Sequence, residues 1–191
     1  MLTKEDFFKE NNPYCRLLYQ NAVKFVAKTI LELGVGEAFS TISLLAAVKE
    51  TDGVLWSIDK RIFVPGIERI QRTPFVDIQR WHFILSNDIE YAKNWTSTVD
   101  ILYVDTNHRY EQTLNELKLY SPYVRKGGAI LLHDTLLTGE WDGAPARVKD
   151  AIDTFFITNP KWKFTELLPN DEGNCGLGIL MDESINKQIS V

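Results

Sequence analysis

Five short apolar segments, each with a polar or acidic residue at or just after its end, dominate the middle of this 191-residue chain. They occupy residues 29–33, 54–58, 81–85, 100–105 and 129–132, and helix-like stretches near 40–49, 64–72 and 111–124 separate most of them. Short strands that alternate with helices predict βαβ units and a mostly parallel sheet. Because the strand segments are continuously apolar, we expect helices to cover both faces of that sheet.

The two ends of the chain complete the predicted fold. Thr3 with Asp6 predicts a capped helix start, and a second helix is expected from Pro13 to about Ala27. After a helix near 144–156, strands near 163–168 and 175–181 flank a turn-rich stretch at 169–174, which predicts an antiparallel hairpin. We therefore expect one α/β domain over 1–191, in which 1–28 form a helical cover and 29–191 form the core. The core is predicted to be a Rossmann-like, doubly wound, mostly parallel seven-stranded sheet closed by the C-terminal hairpin.

Composition narrows the functional classes. The net charge of -5 disfavours a nucleic-acid partner, which needs a concentrated basic face. The two cysteines form no CxxC pair, the first residues are polar, and no apolar run approaches the roughly 20 residues of a membrane span. These features predict a cytoplasmic protein without a membrane partner, and they leave a homo-oligomer open.

The polar residues that follow the predicted strands are the strongest functional signal: Glu32, Asp59, Asp88, Asp105 and Asp134. In an open parallel sheet the carboxyl ends of the strands meet at one edge, and ligands bind where the strand order reverses. The sequence therefore predicts a ligand site at this edge.

The first predicted strand leads into a turn with Gly34 and Gly36, which let the backbone approach a ligand closely. The third glycine of the dinucleotide-binding pattern is replaced by Phe39, whereas Ser40 either caps the next helix or donates a hydrogen bond to a ligand. Asp59 is placed to accept both hydroxyls of a ribose. Asn87 and Asp88 either read an adenine amino group or form an Asx turn.

Five segments resemble the class I S-adenosylmethionine (SAM)-dependent methyltransferases, and the similarity is greatest to the macrocin-type O-methyltransferase and cephalosporin-hydroxylase-like family. They are ILELGVGEAFST (30–41), VLWSIDKR (54–61), SNDIEYA (86–92), DILYVDTNHRYEQTLNEL (100–117) and RKGGAILLHDT (125–135). The pairing of D-x-x-H-x-Y-E with K-G-G-x-I-x-x-H-D carries most of the specificity.

The resemblance implies SAM as the methyl donor and an oxygen atom of a small molecule as the acceptor. By this analogy Glu32, Gly34 and Gly36 contact the methionine part of the donor, Asp59 holds the ribose and Asp88 the adenine, with Ser40, Asn87 and Asp105 also in the cofactor site. Some family members bind a divalent cation at the ends of the fourth and fifth strands. The corresponding residues here are Asp105 and the pair His133-Asp134, in which histidine replaces an acid.

Candidate catalytic residues lie just past the fourth strand. His108 is either the general base that deprotonates the acceptor, with Asp105 beside it, or a loop histidine bonded to backbone. Asp105 and Asp134 either hold Mg²⁺ or only orient the donor and cap loops. His133 is expected either to support the site from outside or to be an ordinary satisfied residue at a strand end, and His82 lies at the wrong end of its strand. Residues 136–145 form either a lid over the acceptor or an ordinary surface loop.

Two rival functions remain. A nicotinamide-dependent oxidoreductase is disfavoured because the third glycine and the Tyr-x-x-x-Lys pair are both absent. A module that binds SAM without transferring methyl shares the same cofactor site, so the sequence does not separate it from an enzyme.

Overall fold

The computed structural model describes residues 2–141, 143–168 and 175–182. The predicted turn at 169–174 lies outside the described residues. Two helices, α1 (Lys4–Glu10) and α2 (Pro13–Lys24), precede the sheet. The first begins with the predicted capping box, in which Thr3 and Asp6 bond each other's backbone and side chain.

The main sheet has seven strands: β1 (Thr29–Leu33), β2 (Val54–Asp59), β3 (Trp81–Leu85), β4 (Val99–Val104), β5 (Val124–His133), β8 (Trp162–Glu166) and β9 (Leu177–Asp182). They are arranged in the order β3-β2-β1-β4-β5-β9-β8. The first five strands run parallel, and β9 is antiparallel to both β5 and β8. The predicted Rossmann-like sheet with its C-terminal hairpin is confirmed.

Alternating strand residues divide the core between the two faces of the sheet. Ile30, Ile101 and Leu131 pack with α1, α2 and α3 (Phe39–Thr51), whereas Leu31, Leu102 and Leu132 pack on the opposite side. The second face is covered by α6 (Tyr110–Tyr120) and α7 (Val148–Thr158). The helix after β1 and the helix after β4 thus lie on opposite faces, and the adjacent ends of these two strands mark the point where the chain reverses direction across the sheet.

Shorter elements complete the fold and correct some predicted boundaries. Helices α4 (Val64–Arg72) and α5 (Asp88–Tyr91) follow β2 and β3. The predicted helix end at 124 was wrong: α6 ends at Tyr120 and a 3-10 turn over Ser121–Tyr123 follows, because Pro122 has no N–H to continue the helix. The helix predicted from 144 begins at Val148 instead, because residues 144–145 form a strand, β7 (Ala144–Pro145), that pairs with β6 (Glu140–Trp141).

Candidate functional site

The turn after β1 depends on a glycine that has no room for a side chain. Gly34 has φ +89°, and a Cβ added to it would lie 2.0 Å from the backbone oxygen of Asp105, at the end of β4. Gly36 also has a positive φ, of +47°, but a Cβ added there would meet nothing within 4 Å. Gly34 therefore lets the ends of β1 and β4 approach each other at the reversal point, whereas Gly36 faces open space.

Asp59, at the end of β2, holds this turn from its other side. Its Oδ2 atom accepts hydrogen bonds from the N–H groups of Val35 (2.9 Å) and Gly36 (3.3 Å). Its Oδ1 atom accepts one from the N–H of Arg61 (2.9 Å). The carboxylate predicted to hold a ribose is thus fixed in position by three backbone donors.

These strand ends enclose a cavity of about 180 Å³. Six of the eight residues predicted to bind the cofactor line it: Gly34, Gly36, Asp59, Asn87, Asp88 and Asp105. A second cavity of about 280 Å³ shares Gly36, Asp59 and Arg61 with the first and extends past Ile62 and Phe63. We call the two together the glycine-turn groove, and its size is in the range of small-molecule sites, about 300–1,000 Å³.

The other two predicted cofactor residues, Glu32 and Ser40, lie buried beneath the turn. Glu32 accepts hydrogen bonds from the hydroxyls of Ser40 (2.7 Å), Thr41 (2.9 Å) and Ser57 (2.6 Å). Burial raises the pKa of Glu32 to about 7, although the three hydroxyl donors oppose that shift. Through these hydrogen bonds Glu32, on β1, connects the first turn of α3 to β2 and stabilises the base of the site.

Asn87 and Asp88 face the groove from the end of β3. The side chain of Asn87 accepts a hydrogen bond from the N–H of Glu90 (3.1 Å) and caps α5, which is the turn-type role left open from the sequence. Both carboxylate oxygens of Asp88 accept from the Nε2 of Gln112, at 3.1 and 2.9 Å. Gln112 on α6 also lines the groove, although no sequence motif indicated it.

A second group of polar side chains meets at the ends of β4 and β5: Asp105, His108, His133 and Asp134, which we call the His–Asp cluster. The Nε2 atom of His108 lies 2.8 Å from Asp134 Oδ2 and 3.3 Å from Asp105 Oδ1. The Nδ1 atom of His133 lies 3.1 Å from Asp134 Oδ1 and 3.4 Å from Asp105 Oδ1. Asp105 belongs to both the cluster and the groove, so the two sites adjoin.

The charges of the His–Asp cluster stabilise one another. Burial alone would raise the pKa of Asp105, but His133 and His108 hold it well below its usual range, and the pKa of Asp134 is lowered in the same way. The two carboxylates in turn raise the pKa of His108 to about 9 and that of His133 to about 10, against the effect of burial.

Backbone geometry brings His133 into the cluster, although the sequence did not place it among the candidate ligands. Neighbouring residues of a strand point to opposite faces, so His133 and Asp134 are not predicted to converge. Asp134, however, has φ +57°, and His108 has φ +56°. Such left-handed conformations cost about 1–2 kcal/mol in a non-glycine residue, and here they turn both side chains toward one point.

The N-terminal cover also reaches this site. The ring of Tyr14, on α2, lies against the ring of His133, with 4.3 Å between the centroids. Burial, together with the charge of Asp105, raises the pKa of the Tyr14 hydroxyl. Sequence reasoning assigned the N-terminal helices to a cover but had no signal for this residue.

The predicted lid segment borders a cavity of its own. Residues 135–140 and 145–147, together with Lys149 and Asp150, line a space of about 580 Å³ between the loop after β5 and the start of α7. The N–H of Arg147 donates to the backbone oxygen of His108 (2.8 Å), which joins this loop to the His–Asp cluster.

The sheet order defines a Rossmann-like α/β protein, and the groove lies at its reversal point, on the carboxyl edge of the sheet. The chain belongs to a family of methyltransferase domains, whose model matches residues 31–135, more than half of the sequence. The matched segment runs from β1 to just past β5 and therefore includes both the groove and the His–Asp cluster.

Several solved structures share the fold. The O-methyltransferase TomG of Streptomyces achromogenes, solved in complex with SAM, is 18% identical, with a TM-score of 0.67 over 90% of this chain and 80% of that one. An O-methyltransferase of Bacillus cereus, solved with SAH, is 16% identical, with a TM-score of 0.69 over 90% and 81%. A SAH-bound methyltransferase of Podospora anserina is 16% identical, with a TM-score of 0.66 over 90% and 80%.

One curated relative matches over a short stretch only. It is an uncharacterized protein of Acanthamoeba polyphaga mimivirus, 44% identical over 36 residues, which are 19% of this chain and 16% of that protein.

Proposed function

We propose that this protein transfers the methyl group of SAM to a hydroxyl oxygen of a small molecule. The observation that carries the proposal is the glycine-turn groove, where Gly34, Asp59, Asp88 and Asp105 line one space inside the segment that matches methyltransferase domains. The SAM and SAH complexes of proteins with the same fold support this choice of donor.

Different residues of the groove bind different parts of the donor. Asp59, held by three backbone N–H groups, presents its remaining lone pairs to the ribose hydroxyls. Asp88 takes the adenine amino group, because a carboxylate retains acceptor capacity after bonding Gln112. The turn at Gly34 and Gly36 accommodates the methionine part, and Glu32 supports that turn from below.

Bound SAM supplies an electrophilic methyl group on a sulfonium. The acceptor oxygen attacks that carbon, the carbon–sulfur bond breaks, and the acceptor loses its proton. The task of the protein is to align the two reactants and to accept the proton. Asp105 lines the groove and His108 lies beside it, and we assign proton removal to the cluster that contains them. Because the two carboxylates raise the pKa of His108 to about 9, the fraction of His108 able to accept a proton increases toward alkaline pH.

Binding of magnesium was one of the two roles left open from the sequence for Asp105 and Asp134, the other being to orient the donor or cap loops. The structure brings these two carboxylates together, but it adds an imidazole nitrogen from His108 and another from His133. Mg²⁺ takes oxygen ligands and keeps several waters, so this donor set does not fit it. We therefore assign no step of the reaction to magnesium.

The acceptor is proposed to enter from the cavity of about 580 Å³ beside the loop after β5. That size suits a small molecule, and the net charge of -5 gives no reason to expect nucleic acid. None of the helices in the described residues is long and apolar enough to cross a membrane.

The test is transfer of label from methyl-radiolabelled SAM to a panel of hydroxylated small molecules, including catechols and sugars. We expect one or more acceptors to be labelled, with SAH formed in equal amount. The Asp59→Ala variant is expected to lose this activity, whereas Lys118→Ala, on the exposed part of α6, keeps it. Tight binding of SAM without labelling of any acceptor would favour the binding-module alternative.

A further inference from the structure

Three side chains on one side of α6 face Asp88, the first residue of α5. Gln112, Glu116 and Tyr120 are four residues apart in the sequence, so the helix places them in one row. The hydroxyl of Tyr120 donates to the backbone oxygen of Asp88 (2.6 Å), and the Nε2 atom of Gln112 lies 3.1 and 2.9 Å from its two carboxylate oxygens. The row therefore holds Asp88 by both its backbone and its side chain.

The middle residue of the row, Glu116, is a buried acid with no role in the methyl transfer described above. It is 0% exposed. Its Oε1 atom accepts hydrogen bonds from the hydroxyl of Thr106 (2.6 Å) and from the Nε2 of Gln112 (2.7 Å). Its Oε2 atom is also buried, and no N–H or O–H donor in the described part of the chain reaches it. An ionised carboxylate here would leave one buried oxygen without a donor, which is costly.

The charges around Glu116 also disfavour its ionised form. The strongest charge that acts on it is the negative charge of Asp88. Lys60 and Arg61 line the groove together with Asp88, whereas the described lining of the groove does not include Glu116. When two carboxyl groups share one site, one of them keeps its proton. Burial, and then the charge of Asp88, raise the pKa of Glu116 well above its ordinary value.

The number of available hydrogens leads to the same conclusion. The amide nitrogen of Gln112 carries two hydrogens, yet three carboxyl oxygens lie within 3.1 Å of it, two from Asp88 and one from Glu116. The side chains of Glu116 and Asp88 are also in hydrogen-bonding contact, and two ionised carboxylates have no hydrogen to share. A proton on Glu116 supplies the missing hydrogen and removes the repulsion between the two acids.

We propose that Glu116 is a positioning residue for the adenine of SAM, which remains a protonated acid and holds the Asp88 carboxylate in the orientation that faces the groove. This inference rests on the proposed function, in which Asp88 takes the adenine amino group, and it deepens that function. Glu116 touches no atom of the donor and acts through Asp88 and Gln112. With one Asp88 oxygen bonded to the Glu116 proton and the other to Gln112, the carboxylate is fixed and keeps lone pairs for the amino group.

The arrangement predicts which purine base the groove selects. A carboxylate held in this way accepts a hydrogen from the amino group of adenine. It has no hydrogen to give to the carbonyl group that hypoxanthine carries at the same position. Sites built to hydrogen-bond one substrate group reject analogues that lack it, because their buried polar atoms are then left unpaired. We therefore expect SAH to bind more tightly than S-inosylhomocysteine, the same molecule with hypoxanthine in place of adenine.

The test is calorimetric titration of the full chain with SAH and with S-inosylhomocysteine. Glu116→Leu has a side chain of similar size that forms no hydrogen bond. It is expected to weaken SAH binding about tenfold and to leave S-inosylhomocysteine binding unchanged, so that the preference for adenine is lost. Glu116→Gln offers a carbonyl oxygen and an N–H in place of the protonated carboxyl, and is expected to keep both affinities within about twofold of the wild type.

The same helix supplies a matched control, because Glu111 on α6 is an exposed glutamate. Glu111→Leu is expected to leave both affinities unchanged. Thermal unfolding shows whether each variant is folded. An independent measurement that does not need the leucine variant is the infrared difference spectrum between the wild type and Glu116→Gln at neutral pH. We expect it to contain the carbonyl band of one protonated carboxyl group.

The inference is overturned if folded Glu116→Leu keeps the wild-type preference for SAH, if it weakens both ligands alike, or if the difference spectrum lacks the protonated-carboxyl band. In each of these cases SAH still binds to the wild type, so the proposed function stands. If the wild type binds no SAH, it is the proposed function that is refuted, and the infrared band then tests the protonated state of Glu116 by itself.

Discussion

Replacing Gly34 with alanine tests the close approach of β1 and β4 that forms the site. The new Cβ would lie 2.0 Å from the backbone oxygen and 2.8 Å from the carbonyl carbon of Asp105. Neither atom is at the end of a flexible side chain, so the two strand ends must move apart. Gly36→Ala is the matched control, because its φ is also positive but a Cβ there meets nothing within 4 Å.

The expected costs follow from these two geometries. Both variants place alanine in a left-handed conformation, which costs about 1–2 kcal/mol. Only Gly34→Ala adds an overpacking penalty, typically about 1–3 kcal/mol. We therefore expect the free energy of unfolding to fall by about 1–2 kcal/mol in Gly36→Ala and by about 2–5 kcal/mol in Gly34→Ala.

The assay is urea denaturation of the wild type and both variants, followed by fluorescence of the tryptophans and by circular dichroism. The difference between the two variants isolates the contact with Asp105, because the conformational cost is common to both. If Gly34→Ala and Gly36→Ala lose the same stability within about 0.5 kcal/mol, the tight packing at the reversal point is refuted.

Three further outcomes are expected. Asp59→Ala weakens SAM and SAH binding in calorimetry about tenfold or more, since charge-assisted hydrogen bonds contribute about 1.5–3 kcal/mol; unchanged affinity would remove Asp59 from the site. The folded-state pKa of Glu32, about 7, lies above the ordinary value of 4.5 for a glutamate, so the contribution of its protonated form to stability is complete below pH 4.5 and is lost as the pH rises to 7. Relative to Glu32→Gln, the wild type should therefore lose about 3 kcal/mol between pH 4.5 and 8 in urea titrations, and parallel profiles would contradict this. Asp100 accepts the N–H groups of Lys28 (2.6 Å) and Thr29 (2.7 Å), so Asp100→Ala should lower the free energy of unfolding by about 3 kcal/mol; a loss under about 0.5 kcal/mol would show that these bonds contribute little.

The strands were the part of the fold best predicted from sequence. The bounds of β1 and β3 match the apolar segments at 29–33 and 81–85, because strands buried in a parallel sheet are continuously apolar. The start of β5 was missed. The strand was predicted only from residue 129, after Gly127 and Gly128, yet β5 begins at Val124 and its register against β4 shifts between Val99 and Ile101. A local pattern does not distinguish a strand irregularity from a loop when glycine is present in both.

The groove was largely predicted, because it depends on strand ends, which the sequence marks with acids. The His–Asp cluster was predicted only in part. His108, Asp105 and Asp134 were singled out from the sequence. The membership of His133 in the same cluster depends on the positive φ of Asp134, which no sequence pattern indicates. The contact of Tyr14 with His133 depends on how α2 packs across the sheet, and such long-range packing is invisible to local periodicity.

Isothermal titration calorimetry with SAM, SAH and NAD, carried out side by side on the wild-type chain, tests the central claim most directly. A groove built for an adenosine-bearing sulfonium predicts one site per chain for SAM and for SAH, both abolished or strongly weakened in Asp59→Ala, and no measurable heat with NAD. Binding of NAD with no binding of SAM or SAH would contradict the account and restore the oxidoreductase alternative.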